Sequence, residues 1–360
     1  MSEAVQSRLK HLVSSIHDPH TGQPLGDAVR GLAFVDGKVA VDIVLGYPAA
    51  GWADRLARVA HDALEADDDV SAVKVDVGFQ VVEHAVQEGL TPVHGVRNVL
   101  AISSGKGGVG KSTVAANLAL ALVAEGARVG ILDADIYGPS QPRMLGLKGG
   151  PKTTDGDKIL PMEAHGLQAM SIGVLVKQDQ AMIWRGPMAT QALQQMFAQT
   201  LWEDLDYLVV DLPPGTGDIQ LSLSQQIPVA GAIAVTTPQE VAVDDVRRAA
   251  RMFAQVKIPV LGVLENMSTH ICSNCGFEEA VFGSGGGQRI AEEMGLPLLG
   301  QVPLNAGLGR STDEGAPIVA AEPDHPASQR FRELARRTAA LLSVQARNTS
   351  VRMPSIKIVE

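Results

Sequence analysis

From residue 96 onward the chain repeats one pattern, a short apolar run that ends in a polar loop. Val99-Leu-Ala-Ile-Ser103, Val129-Gly-Ile-Leu132, Tyr207-Leu-Val-Val-Asp211, Ala230-Gly-Ala-Ile-Ala-Val235 and Val260-Leu-Gly-Val-Leu264 are each almost continuously apolar. Strands of that kind are buried on both faces, and helical segments separate most of them. The pattern therefore predicts an α/β fold with a doubly wound, mostly parallel sheet. The first ninety residues follow a different pattern. Leu9, Leu12, Val13 and Ile16 fall at helical spacing, and two strand-like runs flank Asp36-Gly37, a hairpin signal because both positions tolerate positive φ. Trp52, Leu56, Val59, Ala60, Ala63 and Leu64 form an apolar helical stripe, and Val73-Lys-Val-Asp-Val77 alternates as a strand does. A polar stretch with Gly and Pro, residues 87–96, separates the two patterns. The expected organisation is a small α/β domain over 1–90, a linker over 91–97, the main domain over 98–345 and a tail over 346–360. The last helix, about 328–342, is expected to carry Arg330, Arg332, Arg336 and Arg337 on a solvated face.

Composition changes this picture mainly by exclusion. Thirty Lys and Arg against forty Asp and Glu give a net charge of −10. Residues 1–90 hold seven basic and fourteen acidic side chains, so the deficit is concentrated there. A duplex-binding protein neutralises phosphates with Lys and Arg, so nucleic acid is not the expected partner. Two cysteines in 360 residues exclude a disulfide framework. No apolar run approaches the roughly eighteen residues of a membrane span, and the start Met-Ser-Glu-Ala-Val-Gln-Ser-Arg-Leu-Lys is unlike a secretory signal. A cytoplasmic chain with no membrane partner is expected.

Gly105-Lys106-Gly107-Gly108-Val109-Gly110-Lys111-Ser112-Thr113 fits the phosphate-loop pattern G-x-x-x-x-G-K-[ST], between an expected strand and an expected helix. Glycines let backbone N–H groups curl around phosphate oxygens, and the helix N-terminus adds its positive end. Lys111 is expected to reach the β- and γ-phosphates and the Ser112 hydroxyl to complete a Mg²⁺ shell. Asp211 ends an apolar strand and suits a carboxylate that holds Mg²⁺ through water. Asp133 and Asp135 end another strand at one side-chain period. No Asn is followed by Lys, so the guanine-reading Asn-Lys-x-Asp motif is absent and ATP is the expected nucleotide. Lys106 is a second lysine at the front of the loop, as in the deviant loops of the MinD/ParA class and the nitrogenase iron protein, where that lysine reaches across a dimer.

Both cysteines lie in His270-Ile-Cys272-Ser-Asn-Cys275-Gly276. By residue type alone such a pair is half an iron–sulfur site, half a zinc site or a redox dithiol. One chain supplies two thiolates. A symmetric dimer supplies the four that a [4Fe–4S] cluster or a Cys₄ zinc site takes.

With these motifs in order, residues 96–320 resemble the Mrp/ApbC family of iron–sulfur cluster carrier ATPases, a SIMIBI/MinD-like branch of the P-loop NTPases. The resemblance runs through the phosphate loop, Asp133-Ala-Asp-Ile-Tyr-Gly-Pro-Ser140, Trp184-Arg-Gly-Pro-Met188 and Asp211-Leu-Pro-Pro-Gly-Thr-Gly-Asp218. It continues in Glu265-Asn-Met-Ser268, the cysteine pair and Phe282-Gly-Ser-Gly-Gly-Gly287. Residues 1–90 are similar to a small domain that bacterial members often carry. The resemblance implies that Lys106 is the intermonomer lysine, Asp135 positions the attacking water, and Asp211 is the Walker B acid. It also makes 215–218 switch II and puts Asn266 against adenine. Cys272 and Cys275 would bridge a labile [4Fe–4S] cluster between two protomers. The implied activity is slow ATP hydrolysis in a homodimer that passes its cluster to apo iron–sulfur proteins and works with cluster-assembly scaffolds. Some domains like residues 1–90 carry a reactive cysteine; this one has none, so its role would be indirect. A positioning ATPase of the MinD/ParA type and a zinc-stapled ATPase scaffold are the alternatives. With only two cysteines the ligand set of the nitrogenase iron protein cannot be built.

Overall fold

Asp36 and Gly37 adopt φ values of 48° and 77° and close the expected hairpin between β3 (Val29–Val35) and β4 (Lys38–Leu45). They belong to the first part of a computed structural model that describes residues 2–154, 158–175, 186–215, 217–272 and 274–347. Trp184, Arg185, Thr216, the side chain of Asp218 and the tail from residue 348 lie outside the described residues. Before the hairpin come α1 (Ser2–Ser14), β1 (His17–Asp18) and β2 (Gln23–Pro24); after it come α2 (Ala50–Glu65) and β5 (Ala72–Phe79). β4 is central, antiparallel to β3 and parallel to β5. Its alternate residues Val39, Val41, Ile43 and Leu45 are buried against Leu9 and Val13 of α1 and Leu56, Ala60 and Leu64 of α2. Val59, counted in the apolar stripe of α2, is 43% exposed.

The second part runs β6 (Val96–Ser104), α3 (Lys111–Ala124), β7 (Val129–Asp133), α4 (Gln141–Met144), β8 (Met162–Ala164), β9 (Leu167–Ser171), α5 (Ile172–Leu175) and α6 (Gly186–Gln199). It continues through β10 (Leu205–Asp211), α7 (Asp218–Gln226), β11 (Gly231–Thr236), α8 (Glu240–Gln255), β12 (Val260–Ile271) and β13 (Glu278–Glu279). It closes with α9 (Gly286–Met294), β14 (Leu298–Leu304), α10 (Ala306–Asp313), α11 (Ile318–Ala321) and α12 (Pro326–Ser343). Nine strands form one sheet in the order β13-β12-β11-β6-β10-β7-β9-β8, with β14 on the other side of β12. All are parallel except β8 and β13, which pair antiparallel at the margins. β10 is inserted between β6 and β7, so the ends of these three strands meet at one place. α3 is buried along nearly its whole length, from Val114 to Leu122, which is why it reads as apolar on every side.

One expectation is corrected. Arg332 and Arg336 of α12 do not face solvent: both pair with Glu125, a fully buried carboxylate at the end of α3, at 2.7 and 2.8 Å. Helical periodicity identifies a polar face, but a buried acid 207 residues earlier in the chain leaves no trace in that pattern. Likewise residue 87, in the polar stretch, is tied down: the Gln87 side chain exchanges two hydrogen bonds with the backbone of Val229. Among the described residues no helix is long and apolar enough to cross a membrane.

Candidate functional site

The glycine loop leaves β6 at Ser104 and turns into α3 at Lys111. Gly108 and Gly110 take φ values of 84° and 80°, the left-handed region where a side chain is strained. Gly105 is there for a different reason. A Cβ on it would lie 2.3 Å from the Asp245 backbone in α8. The Ser104 hydroxyl donates to the Lys106 carbonyl at 2.9 Å, bracing the loop from below. The loop opens on a cavity of about 280 Å³ lined by Lys106, Gly107, Gly108, Gly110, Lys111, Ser112, Thr113, Asp135 and Ser140. Val109 is buried beneath it. Lys106 has no ion-pair partner among the described residues and borders the open side of the cavity.

Four side chains meet at the floor. Lys111 Nζ pairs closely with Asp211 Oδ1 and lies 3.4 Å from the Ser112 hydroxyl. Asp211 Oδ2 accepts from Gln141 Nε2 at 2.9 Å. Asp211 and Asp133 stand side by side in the β10–β7 register, and both are fully buried. Burial pushes Asp133 up to about 7, and the neighbouring Asp211 charge adds to it. Hydrogen bonds from Gln141 N, Ser171 and Asp135 N pull the other way. Burial also raises Asp135, with the Lys111 charge opposing, and its Oδ1 accepts from Gly138 N at 3.3 Å. Asp133 therefore organises the loop that carries Asp135. Its oxygens accept from the N–H groups of Asp135, Ser140 and Gln141 and from the Ser171 hydroxyl, all within 3.2 Å.

This donor set is oxygen only, which is what Mg²⁺ prefers. Ser140 Oγ and Gln141 Oε1 are buried with no hydrogen-bond partner among the described residues. An orphaned buried acceptor costs about 1–3 kcal/mol unless something fills it. The residues present therefore fit a hydrated divalent cation held near Ser112 and Asp211.

β12 links this site to the cysteines. Its Asn266 is 7% exposed and donates from Nδ2 to the Val109 carbonyl at 2.9 Å, so the structure lays this side chain on the loop backbone. Glu265, fully buried, accepts from Gly287 N and from Gln301, both at 2.6 Å. The Gly-rich stretch 282–287 is thus explained by packing: a Cβ on Gly286 would lie 2.3 Å from the Pro238 carbonyl oxygen. Beyond Asn266 the strand shifts register, Met267 turns to a φ of 56°, and six residues after Asn266 comes Cys272.

The cysteines sit in a tight turn closed by Cys272 N to Phe277 O and Gly276 N to Cys272 O, both 2.9 Å. His270 and Ile271 pair with the short strand β13, so His270 belongs to the hairpin stem. The backbone N–H groups of Cys275 and Asn274 point at the Cys272 sulfur and hold its thiol below the usual range. Cys275 is exposed, as are the nearby Ile271, Phe277 and Val281. Backbone donors to a solvent-facing sulfur favour the thiolate, the form that binds metal.

The structure brings Lys106, Lys111, Ser112, Thr113 and Asp135 to one cavity, sets Asp211 behind Lys111 and lays Asn266 on the Val109 carbonyl. The cysteine pair stands apart on the hairpin beyond β12. Sequence reasoning singled out none of Gln141, Ser140 or Gln220. Gln220 donates to Ser103 Oγ at 2.5 Å below the loop. The only available signal was that Ser140-Gln-Pro opens a helix close behind an acidic strand end.

Comparison with known proteins adds independent information. The family described as NUBPL iron-transfer P-loop NTPase matches residues 95–339, and the family described as iron-sulfur cluster assembly protein matches residues 3–77. A Haemophilus influenzae protein named iron-sulfur cluster carrier protein is 50% identical over 303 residues, covering 84% of this chain and 82% of that one. A Deinococcus radiodurans protein of the same name is 43% identical over 340 residues, covering 94% and 95%. Among solved structures, a nucleotide-binding protein from Archaeoglobus fulgidus in complex with ADP superposes with a TM-score of 0.56 at 35% identity. It covers 65% of this chain and 92% of that one. The cell division ATPase MinD of Pyrococcus furiosus shares the fold at a TM-score of 0.52 and 22% identity, covering 67% and 97%.

Proposed function

Since the chain belongs to the family of NUBPL-type iron-transfer P-loop NTPases, we propose that it is a homodimeric, cytoplasmic ATPase that carries a labile [4Fe–4S] cluster. The cluster is cargo, held between two protomers by Cys272 and Cys275 of each and handed to apo iron–sulfur proteins. Neither nucleic acid nor a membrane is part of this reading. Residues 1–90 form the small α/β domain, joined by 91–97 to the ATPase domain over 98–345, with a tail over 346–360.

In this reading the N–H groups of Gly105, Gly107, Gly108, Val109 and Gly110 wrap the phosphates of ATP. Lys111 leaves Asp211 for the β- and γ-phosphates. The Ser112 hydroxyl, next to Thr113, and Asp211 would hold Mg²⁺, Asp211 by way of water. The cation, when bound, neutralises charge that builds on the phosphates during transfer. Asp135 orients the attacking water, Lys106 reaches the partner protomer's nucleotide, and Asn266 exchanges the Val109 carbonyl for adenine. Hydrolysis is slow and acts as a switch.

The observation that carries the cargo assignment is the turn at Cys272–Cys275. Cys275 is exposed and Cys272 half-buried, two backbone N–H groups favour the Cys272 thiolate, and a single strand connects the turn to the phosphate loop. The names of the relatives agree with it. The test is iron and acid-labile sulfide content with a visible spectrum, on protein reconstituted anaerobically. About four iron and four sulfide per dimer, bleached by chelator, is the expected result. Zinc that reconstitution does not displace would make the pair a structural staple and the protein an ATP-driven scaffold.

A further inference from the structure

Gln141 is 1% exposed at the first position of α4, and no motif marks it. Its Nε2 donates to Asp211 Oδ2 at 2.9 Å and to the Ser112 carbonyl at 3.0 Å. Both partners are acceptors, so only the NH₂ end of the amide can face them, and Oε1 must turn away. That oxygen is buried with no partner among the described residues. Ser140 beside it also keeps a buried hydroxyl without a partner and lines the phosphate cavity. The Ser140 hydroxyl can donate or accept, but the Gln141 amide oxygen only accepts and so calls for a ligand that brings a donor. Water carried by a cation supplies one; bare phosphate oxygens do not.

We propose that Gln141 is a positioning residue for the divalent cation, an inference that rests on reading the cavity as a Mg²⁺–nucleotide site. Asp211 is shared, Lys111 on Oδ1 and Gln141 on Oδ2. When phosphate draws Lys111 away, Gln141 keeps the carboxylate from rotating and leaves Oδ1 free toward the cation. Its own Oε1 accepts from a water of the cation's shell. Because Nε2 also holds the Ser112 carbonyl, one amide spans the two residues between which the cation is to lie.

The test uses the full chain with ADP, and Mn²⁺ as a paramagnetic probe whose free signal is titrated. Gln141→Met keeps the volume and removes every polar atom. It should weaken Mn²⁺ binding to the ADP complex about ten-fold, the usual cost of losing an outer-shell partner, while ADP affinity in EDTA stays unchanged. Gln141→Glu keeps an acceptor but loses the donor to Asp211 and the Ser112 carbonyl, so it should not restore Mn²⁺ binding to the wild-type level. Equal Mn²⁺ affinity in wild type and Gln141→Met overturns the proposal. So does loss of ADP binding in EDTA by both variants, which would make the residue merely structural. A wild-type chain that binds no ADP at all removes the underlying reading of the cavity instead.

Discussion

Single residues in this molecule take their chemistry from where the backbone sets them. Asp133 looks from sequence like half of an acidic pair with Asp135, yet it faces inward and accepts from three backbone N–H groups and a serine. Asp133→Ala strands those donors, and urea unfolding should show a loss of about 1–3 kcal/mol. Unchanged stability would mean that the 135–141 loop is held by other contacts. Cys272 and Cys275 depend less on the interior. Changing either to Ala should abolish iron and sulfide binding while ADP affinity is retained. A variant that keeps stoichiometric iron would defeat the bridging arrangement. The phosphate loop was legible because glycine spacing is a local requirement of backbone curvature. Gln141 was not, because its partner Asp211 lies seventy residues further along the chain.

At the scale of elements, β12 joins two sites that the sequence presents as separate motifs. It places Glu265 under α9, Asn266 on the phosphate loop and Cys272 just past its end. The Gly-rich run before α9 resembles a second phosphate loop in composition, but Gly286 and Gly287 serve close packing and Gly283 and Gly285 take positive φ. Gly286→Ala would press a methyl against the Pro238 carbonyl, which neither backbone can easily avoid. A loss of about 1–3 kcal/mol in stability is expected from such overpacking, read by the urea midpoint. A neutral result would show that α9 can slide. The five apolar runs read from sequence all appear as neighbouring parallel strands, since burial on both faces writes itself into composition. β8 and β13, short and antiparallel at the margins, carry too little apolar signal to be seen.

For the whole molecule, the important contact is the seam between the first ninety residues and the sheet. Glu125 ends the phosphate-loop helix and accepts from Gly51 N at the start of α2, from Arg332 and from Arg336. Nearby, buried His20 faces Asp18, Tyr47, Trp52, Glu333 and Arg336. Burial opposes a charged imidazole there, but hydrogen bonds to Asp18 and Glu333 outweigh it and raise His20. Those same contacts lower Asp18 despite its burial, and Glu333 falls to about 2 through its hydrogen bond to His20. A raised His stabilises below its unfolded value of about 6.5 and loses that contribution as pH climbs through the folded value. Lowered acids stabilise above their unfolded values of about 4 and lose it in acid. The seam should therefore be strongest between about pH 4.5 and 6.5. The stability difference between wild type and His20→Gln should shrink as pH rises from 6 toward 9, and a constant difference would remove His20 from the seam's charge balance. Above its pKa, Nε2 can accept from Arg336 Nε at 3.3 Å instead of donating to Glu333. Glu125→Ala takes the acceptor from Arg332 and from the Gly51 N–H, while Arg336 keeps Glu333, and should cost about 1–3 kcal/mol in urea unfolding.

The amino-acid sequence by itself determined the five central strands of the large sheet, the phosphate loop, the acidic strand ends and the cysteine pair. Each rests on spacing within a dozen residues, where backbone geometry directly dictates residue type. Tertiary structure alone decided that Gln141 would clasp Asp211, that Asn266 would lie on Val109, and that Arg332 and Arg336 of α12 would turn inward onto Glu125. Those contacts join side chains dozens to hundreds of positions apart. Their energy comes from satisfying buried polar groups, a condition that arises only once the sheet and its helices have closed around them.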